Sequence, residues 1–563
     1  MPSREEQRVD DPASTMSIED GPLKKKQRTN APVSAEDDGY ASAFGPQTLK
    51  EETQNELRDA YAVSSPYKHC KISNLISDDL LSAVKREIEE NLVFTSKETD
   101  IYKVNQTGDL ANLSGLPDDE KAKLANLGRL RDAMYSPLFR EYIQKVTQCG
   151  PLSGTKTDMS INTYTHGSHL LNHDDVIGTR RVSYILYLVE KGWKPEWGGA
   201  LRLYPTLKPG FPAADPTLVI PPEWNQLCMF TVQPGRSFHD VEEVCVEGKP
   251  RMSISGWFHV PQEGEPGYGE NQEEEDKLKS TLEQLQGEGD ELDHPRLELK
   301  AVSEEEKIDD EESEKCELTD AEREYLGKYM NPVLLKPESM KQLRGVFEDE
   351  CKLSIQSFLN KEYAEDLKAK LEEADQAVPQ HSNDVPSEWK VAVPPHKHRY
   401  LFTEDASTPM GELSTELYGS KEFRKWLAMC TSYFPISECV LARRFRPGHD
   451  YTLATPHVHP NPTLCSTLCL SPSAKFEEGE VGGYEIYMAT GDEADDDPAI
   501  YKAAAENEDD DGGILVEEVA GWNKFLVVLR DEGTLRFIKY VSRAAGGSRW
   551  DVNGEWGVEV DSN

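Results

Sequence analysis

The sequence has 563 residues, more than one ordinary hydrophobic core accommodates, so two or more domains are expected. Its formal net charge of −41 at pH 7 argues against nucleic acid as a direct partner and favours a basic protein partner instead. The sequence contains no apolar run of about 18 residues and no N-terminal signal core, so it predicts neither a membrane span nor a secreted protein.

Residues 1–50 are polar and poor in aromatic side chains, which predicts a disordered tail. This tail contains one basic cluster, Lys24–Arg28. Clusters of this kind act as nuclear import signals, so the sequence predicts a protein of the nucleus and the cytoplasm. Short basic clusters also arise by chance, which leaves the working of Lys24–Arg28 as an import signal open. The ten scattered cysteines are typical of free thiols in a reducing compartment.

Residues 51–262 have the pattern of a first globular domain, which is predicted to be the catalytic one. Apolar residues at helical spacing predict helices within 67–96 and 119–147. Four runs rich in β-branched and aromatic residues predict short strands: SYILYLV, GGALRLYP, NQLCMFTVQP and RMSISGWFHV. Successive short strands of this kind predict a small barrel with an open mouth, which the helices support on one face.

Three residues of this domain have the spacing of a metal-ligand set. His173 and Asp175 form a His-x-Asp pair ahead of the first run, and His239 follows the third run. Two imidazoles and one carboxylate cover one face of an octahedral metal and leave positions open, as in non-haem Fe(II) oxygenases. Arg251 offers a planar, always-charged partner for the distal carboxylate of 2-oxoglutarate.

Each of these residues also has a simpler structural interpretation. His-x-Asp pairs arise by chance in a chain with 13 histidines and 103 acidic residues. His239 is equally compatible with a packed strand end, and Arg251 with a solvated surface charge. Their common position at the ends of successive predicted strands favours the metal site over these alternatives.

The motifs around these residues resemble those of a known enzyme family. HDDVIGTRRVSYILYL, GGALRLYP, FHDVEEV and RMSISGWF, with IYKVNQTGDLANL upstream, are similar to the prolyl hydroxylases of ribosomal protein substrates. The similarity is strong from about Tyr67 to Pro261 and weaker to the end of the chain. Tyr164 and Tyr187 could also be ordinary core residues. The resemblance implies roles for six residues: His173, Asp175 and His239 as iron ligands, Arg251 as the 2-oxoglutarate anchor, and Tyr164 and Tyr187 as lining of the co-substrate pocket.

The resemblance also implies an activity. It indicates Fe(II)- and 2-oxoglutarate-dependent hydroxylation of a peptidyl-proline in a small-subunit ribosomal protein, linked to the accuracy of translation termination. O2 is then the second co-substrate, and ascorbate (vitamin C) is a supporting reductant. One hydroxylation of the proline and two are both compatible with the sequence. A basic ribosomal protein also suits the acidic charge of the chain.

Other functions stay open at this point. One is a binding protein that responds to oxygen and regulates the stability of a transcription factor through its C-terminal domain. Another is a 2-oxoglutarate oxygenase with a different substrate. Demethylation of nucleic acid by the same chemistry is disfavoured by the negative charge of the chain.

Residues 263–318 are strongly acidic and predict a charged linker, with one short helix near Leu278–Leu285. Residues 319–563 then repeat the pattern of the first domain. Helical stretches near Asp320–Tyr329 and Pro337–Ala374 precede VGGYEIYM, FLVVLRDEGTLRFI and SRWDVNGEW, which mirror WGGALRLY, FTVQPGRSFH and PRMSISGW. The predicted fold class is mainly β with flanking α-helices, in two double-stranded β-helix (jelly-roll) domains of which the second is degenerate.

The second domain lacks a complete ligand set in this alignment. His457 and His459 fall where the first domain has its His-x-Asp pair, Ile538 falls at the third ligand position, and Arg549 persists near the arginine position. Because an aliphatic side chain cannot bind a metal, this domain is predicted to be non-catalytic, with a role in docking or architecture. The two histidines resemble a surface turn beside prolines more than a residual metal site. Residues 491–513 interrupt the repeat as an acidic, flexible insertion.

Overall fold

The structure is a computed structural model that describes residues 38–269, 291–303, 317–489 and 513–558. Three predicted features lie outside these residues: the basic cluster Lys24–Arg28, the short helix near Leu278–Leu285, and all but the last residue of the acidic insertion 491–513. Within the described ranges, no helix is both long enough and apolar enough to cross a membrane.

The first domain is built on a curled antiparallel sheet. Its strands are β1 (His69–Ser73), β2 (Thr95–Glu98), β3 (Tyr102–Gln106), β4 (Thr157–Tyr164), β5 (His169–His173), β6 (Arg180–Tyr187), β7 (Leu201–Leu203), β8 (Thr206–Lys208), β9 (Phe211–Pro212), β10 (Leu218–Ile220), β11 (Gln226–Thr231), β12 (His239–Val241) and β13 (Arg251–His259). Among the described residues, all of these strands except β8 and β9 form an 11-stranded sheet in the order β1-β11-β6-β13-β4-β3-β5-β12-β7-β10, with β2 attached to β3. Strands β8 and β9 pair with each other in a separate 2-stranded sheet. Strand β3 pairs with both β4 and β5, so the sheet folds over and turns its two halves towards each other.

Helices pack against one half of this sheet and supply much of its hydrophobic core. They span Asp38–Ala41, Glu51–Val63, Asp78–Asn91, Asp118–Lys123, Ala125–Met134 and Pro137–Thr147. The four buried residues of helix Asp78–Asn91 lie on one face at helical spacing, and two aspartates occupy its first turn, where carboxylates are favoured. The helix predicted within 67–96 is shorter than that range, because β1 and β2 flank it.

The disordered tail predicted for residues 1–50 extends too far. Phe44 is 4% exposed and belongs to the core of the first domain, where its ring stacks on Phe139 with centroids 4.9 Å apart. Thr48 is also buried, and its hydroxyl donates to the carbonyl of Leu75. The sequence did not predict this anchor because two aromatic residues, Tyr40 and Phe44, in a polar stretch give no periodic signal.

The second domain repeats this plan. Its strands are β14 (Lys300–Ala301), β15 (Lys352–Gln356), β16 (Lys390–Val391), β17 (His398–Arg399), β18 (Leu401–Thr403), β19 (Pro435–Phe445), β20 (Tyr451–Pro456), β21 (Thr463–Cys469), β22 (Glu485–Ala489), β23 (Ile514–Glu518), β24 (Lys524–Arg530), β25 (Thr534–Ile538) and β26 (Arg549–Val558). Its helices are Asp320–Gly327, Pro337–Glu350, Lys361–Ala374, Pro409–Glu412 and Lys421–Thr431. An 8-stranded and a 5-stranded sheet form here among the described residues, with β20, β25 and β22 adjacent in the smaller one. The predicted mainly β fold class with flanking helices is confirmed.

Part of the predicted linker 263–318 belongs to the second domain. Strand β14 pairs with β19, where Lys300 lies opposite Glu438, and Val302 is 7% exposed. Lys397 of the second domain also binds Asp293, with 2.8 Å between Nζ and Oδ2. The acidic composition of the segment therefore conceals a short stretch that the second domain orders.

Candidate active site

The strand pairing brings the predicted metal ligands together. His173 ends β5, His239 begins β12, and the two residues lie directly opposite each other in the antiparallel ladder. The His173 Nε2 lies 3.3 Å from one oxygen of Asp175, and the His239 Nε2 lies 3.6 Å from the other. Asp175 has a φ of 62°, a left-handed conformation that aspartate tolerates better than most residues. Across the described ranges, these three residues are the one group whose ligand atoms all lie within 4.8 Å of one another.

Backbone carbonyls fix the orientation of both imidazoles. The Nδ1 of His173 lies 2.8 Å from the carbonyl oxygen of Leu171, and the Nδ1 of His239 lies 2.8 Å from that of Ser237. A carbonyl only accepts, so each Nδ1 carries the proton and donates it. The lone pair of each Nε2 then faces the Asp175 carboxylate, which is the tautomer that a metal-binding histidine needs.

The charge states of His239 and Asp175 suit a divalent cation. Burial, followed by the proximity of His173, lowers the pKa of His239 to about 4, so this imidazole is neutral at pH 7. Burial alone would raise the pKa of Asp175, but the hydrogen bond from His173 and the nearby positive charges of His173 and Arg180 outweigh it and hold that pKa well below its usual range. Burial would lower the pKa of His173, but the contact with Asp175 outweighs it and raises that pKa. A neutral imidazole beside an ionised carboxylate can donate electron pairs to a metal without first losing a proton.

A tryptophan that the sequence analysis did not single out holds the metal-binding carboxylate. The indole N–H of Trp257 donates to Asp175 Oδ2 over 3.1 Å. The guanidinium of Arg180 lies 3.5 Å from the centroid of the indole ring and contacts Asp158. Trp257 lies six positions after Arg251 on β13, so both side chains are on the same face of the strand. This even spacing is the sequence signal that could have indicated Trp257.

Arg251 is a buried cation whose hydrogen bonds reach only neutral groups. It is 1% exposed, and its Nε donates to the carbonyl of Gly199 over 2.9 Å. Its two terminal nitrogens donate to the hydroxyls of Ser253 and Tyr187, at 3.2 and 3.3 Å. None of the ion pairs found in the described part of the chain involves Arg251. A buried guanidinium without a carboxylate is costly, so this position fits a ligand that brings its own carboxylate.

Two tyrosines enclose this cation, as the resemblance implied. The rings of Tyr164 and Tyr187 each lie 4.8 Å from the Arg251 guanidinium. Burial raises the pKa of both hydroxyls, so both stay protonated and can donate to a bound carboxylate. A Cβ on Gly199 would lie 3.2 Å from Arg251 Cδ, and its φ is 75°, so the Gly-Gly motif leaves room for the arginine.

The second domain keeps the strand pairing but not the ligands. In the first domain His239 lies opposite Leu203 on β7. Counted from the Gly-Gly pair ahead of each strand, the equivalent of Leu203 is Tyr487, which lies opposite Arg536. Arg536 therefore stands at the third ligand position, and the prediction of Ile538 there is wrong by two residues. The turn before the strand covers 531–533 here but 232–238 in the first domain, and aligning the strand ends alone misses that difference.

The predicted histidine pair is displaced in the same way. Thr455 lies opposite Arg536, as His173 lies opposite His239, so Thr455 takes the position of the first histidine. His457 then stands at the position of the aspartate, and its Nε2 lies 3.0 Å from the carbonyl oxygen of Asn461. This ring is therefore engaged with the backbone of the following turn.

Arg549 keeps the backbone contact of Arg251 but has different partners. Its Nε donates to the carbonyl of Gly483 over 2.7 Å, as Arg251 donates to Gly199. The residue two positions later is Asp551 instead of a serine, and its carboxylate binds both Arg549 and Arg443. The place of an anionic ligand on the arginine is therefore filled from within the protein.

Comparisons with known proteins agree with this geometry. The 2OG-Fe(II) oxygenase superfamily matches residues 159–259, and the family described as "oxoglutarate and iron-dependent oxygenase degradation C-term" matches residues 321–563. Prolyl 3,4-dihydroxylase OGFOD1 of Ostreococcus tauri is 35% identical over 517 residues, covering 87% of this chain and 94% of that protein. Prolyl 3-hydroxylase OGFOD1 of Mus musculus is 28% identical, over 69% of this chain and 60% of its own length. A Pseudomonas putida prolyl-4-hydroxylase structure covers 37% of this chain and 98% of its own, at 22% identity and a TM-score of 0.28.

The fold, the ligand set and the matched families define a 2-oxoglutarate- and iron(II)-dependent dioxygenase. The class implies Fe(II), 2-oxoglutarate and O2 as cofactor and co-substrates. Within this class, the similarity to the algal protein over nearly its whole length shows that the chain belongs to the OGFOD1 family of prolyl hydroxylases. The resemblance stated from the sequence motifs is confirmed.

Proposed function

We propose that the first domain hydroxylates a prolyl residue of a protein substrate at a metal held by His173, Asp175 and His239. One observation carries this assignment: three ligand atoms converge within 4.8 Å beside a buried arginine that has only neutral hydrogen-bond partners among the described residues. Iron with 2-oxoglutarate and O2 supplies the oxidation of an unactivated C–H bond, which no side chain can perform.

The residues of the chain bind and orient the reactants. Arg251 and the Tyr187 hydroxyl are placed to hold the distal carboxylate of 2-oxoglutarate, and the Tyr164 ring closes the pocket on the other side. Asp175 balances part of the metal charge, and Trp257 keeps this carboxylate from rotating away. The burial of Arg251 and the two tyrosines excludes water from the end of the pocket.

The proposed substrate is a basic small-subunit ribosomal protein. The net charge of −41 supports a basic partner, and relatives named prolyl 3,4-dihydroxylase and prolyl 3-hydroxylase support proline as the target. The proposed reaction adds one or two hydroxyl groups to the proline, with ascorbate as a supporting reductant. We further propose that this modification is linked to translation termination and that the protein resides in both the nucleus and the cytoplasm.

The test is mass spectrometry of a panel of ribosomal-protein peptides incubated with the purified chain, Fe(II), 2-oxoglutarate and air. We expect a gain of one or two oxygen atoms on a proline, absent with the His239→Ala variant. Succinate formation without a modified peptide would keep the oxygenase but remove the ribosomal assignment.

A second candidate function concerns the C-terminal domain. The description of the family matched by residues 321–563 mentions degradation, which supports a role of this domain in regulating the stability of a partner, and we propose a transcription factor as that partner. This role predicts that His173→Ala abolishes hydroxylation yet leaves co-precipitation of the partner unchanged. Loss of both properties would contradict a separate binding role.

A further inference from the structure

The C-terminal domain packs directly behind the strand that carries the first histidine ligand. The Tyr540 ring packs against the ring of His169, at the start of β5, with centroids 4.2 Å apart and the ring planes tilted by 37°. Tyr540, Tyr451 and Leu453 form one apolar cluster with Leu171, which lies two residues before the ligand and is 4% exposed. The outer face of β5 is therefore covered by side chains of the second domain.

The same domain also reaches the second ligand strand. The ring of His396 lies 5.0 Å from that of Phe238, the residue immediately before His239, and both side chains are fully buried. On the other side of the ligand, Glu243 is 2% exposed and accepts hydrogen bonds from the Ser542 hydroxyl, the Tyr540 hydroxyl and a backbone N–H of the second domain.

These contacts converge on the groups that orient the imidazoles. The carbonyl of Leu171 accepts the Nδ1 proton of His173, and the carbonyl of Ser237, one residue before Phe238, accepts that of His239. A shift of either carbonyl turns the ring that it holds, because the Nδ1 hydrogen bond fixes the ring plane. The second domain thus contacts Leu171 itself and Phe238, the residue next to Ser237.

Glu243 shows that this contact is specific. A buried carboxylate is costly unless donors satisfy it, and the three side-chain and backbone donors that Glu243 has among the described residues all come from the C-terminal domain. First-domain backbone groups of Gly199, Ala200 and Ser168 hold the main chain of this segment, and the second domain satisfies the Glu243 carboxylate.

We propose that the C-terminal domain acts as the rear support of the metal site, with Tyr540 as a positioning residue for His173 and His239. It touches neither metal nor co-substrate, and acts through Leu171 and Glu243. The non-catalytic barrel then has a function in the oxygenase reaction itself: it keeps both imidazoles in a geometry that binds a divalent metal.

The test is Mn(II) binding to the full chain, measured by isothermal titration calorimetry for the wild type and Tyr540→Ala. We expect the dissociation constant to rise about tenfold, at the lower end of the range for groups that orient metal ligands. The visible spectrum of the Co(II)-loaded variant should also change, since the ligand geometry changes. Tyr540→Phe keeps the ring on His169 and Leu171, so it should restore Mn(II) affinity to within about twofold of the wild type.

Asp215→Asn is the matched control. Asp215 binds Arg399 at 2.9 Å and a backbone N–H of Ser382 at 2.7 Å across the same interface, but it lies outside β5 and β12. We expect this variant to lower the thermal unfolding temperature without altering Mn(II) affinity or the Co(II) spectrum. An equal loss of affinity in Asp215→Asn, or a Tyr540→Ala variant that loses stability alone, would overturn the positioning role.

This inference rests on the metal assignment made under the proposed function, and the two fail in different ways. If the wild type binds no Mn(II), or His239→Ala binds it as well as the wild type does, the metal assignment itself fails. If the wild type binds Mn(II) and Tyr540→Ala binds it equally, only the support by the C-terminal domain fails.

Discussion

The two barrels share one arrangement of strands but differ in the partners of their buried arginines. In the first barrel, the hydrogen bonds found for Arg251 reach a carbonyl and two hydroxyls, so its charge is left for a ligand. In the second barrel, three arginines and three carboxylates bind one another: Arg443, Arg536, Arg549, Glu485, Asp551 and Glu555. Ion pairs completed within a protein offer nothing to a co-substrate, so a site is created by what the fold leaves unpaired.

The electrostatics of the second barrel show how tightly this set is closed. Burial alone would raise the pKa of Glu485, but Arg536 and Arg549 outweigh it and lower that pKa to about 2. Arg536 alone contacts Glu485 at 2.6 Å, Glu555 at 2.9 Å and Asn553 at 2.6 Å. An arginine with these partners fills the volume in which the first barrel assembles its ligands.

The largest expected effect comes from removing one ligand of the first barrel. His239→Ala should reduce peptide hydroxylation and succinate formation to background, because two ligands no longer cover a face of the metal. His457→Ala, which removes the histidine at the aspartate position of the second barrel, should leave both rates within about twofold of wild type. Coupled assays for succinate measure the comparison. Equal losses would show that the second barrel also takes part in the chemistry.

The second effect concerns stability. Arg536→Met should lower the free energy of unfolding by about 3–5 kcal/mol, since it removes the ion pairs that Arg536 makes with the buried Glu485 and the half-buried Glu555. Urea unfolding measures this value. Lys361→Met removes the exposed pair with Glu365 and should cost less than about 1 kcal/mol. A similar cost for both variants would contradict a closed charge network in the second barrel.

The third prediction transfers one residue of the second barrel to the first. Ser253→Asp places a carboxylate where Asp551 stands relative to Arg549, so it should compete with 2-oxoglutarate for Arg251. The KM for 2-oxoglutarate should rise about 100-fold, the size of one charge-assisted contact of 2–3 kcal/mol. Ser253→Asn, which is similar in size but neutral, should raise KM by less than about tenfold. An unchanged KM in Ser253→Asp would place 2-oxoglutarate elsewhere.

The smallest effect should follow the loss of one hydrogen bond. Trp257→Phe keeps an aromatic ring beneath Arg180 but removes the N–H that binds Asp175. Mn(II) affinity should fall by about tenfold, because the carboxylate becomes free to rotate. Calorimetry on the folded variant gives the value. An affinity equal to that of the wild type would mean that the strand pairing alone fixes Asp175.

The sequence predicted the first barrel well because its motifs occupy strand ends. His173, Asp175 and His239 are spaced so that an antiparallel ladder brings them together, and the Gly-Gly motif ahead of β7 fixes where Arg251 meets the sheet. Trp257 escaped notice because its spacing from Arg251 indicates only a shared face of β13. Its role depends on a hydrogen bond to Asp175, 82 positions earlier, which local spacing does not encode.

The second barrel was harder to predict because a turn changed length. The motif alignment matched Ile538, the last residue of β25, to His239, the first residue of β12. The register of the strand pairing instead places Arg536 at the ligand position. A two-residue shift keeps the side-chain period of a strand, so Ile538 and Arg536 point to the same face and the sequence pattern cannot separate them. The domain contact was also invisible, since Tyr540 and Glu243 are distant in sequence.

The central claim is that only the first barrel holds metal and co-substrate. The most direct measurement is calorimetric titration of the metal-free full chain with Mn(II), followed by 2-oxoglutarate, beside the His239→Ala variant. We predict one Mn(II) and one 2-oxoglutarate per wild-type chain, with 2-oxoglutarate binding dependent on the metal and both lost in the variant. Two equivalents of either ligand, or full binding to His239→Ala, would contradict the account.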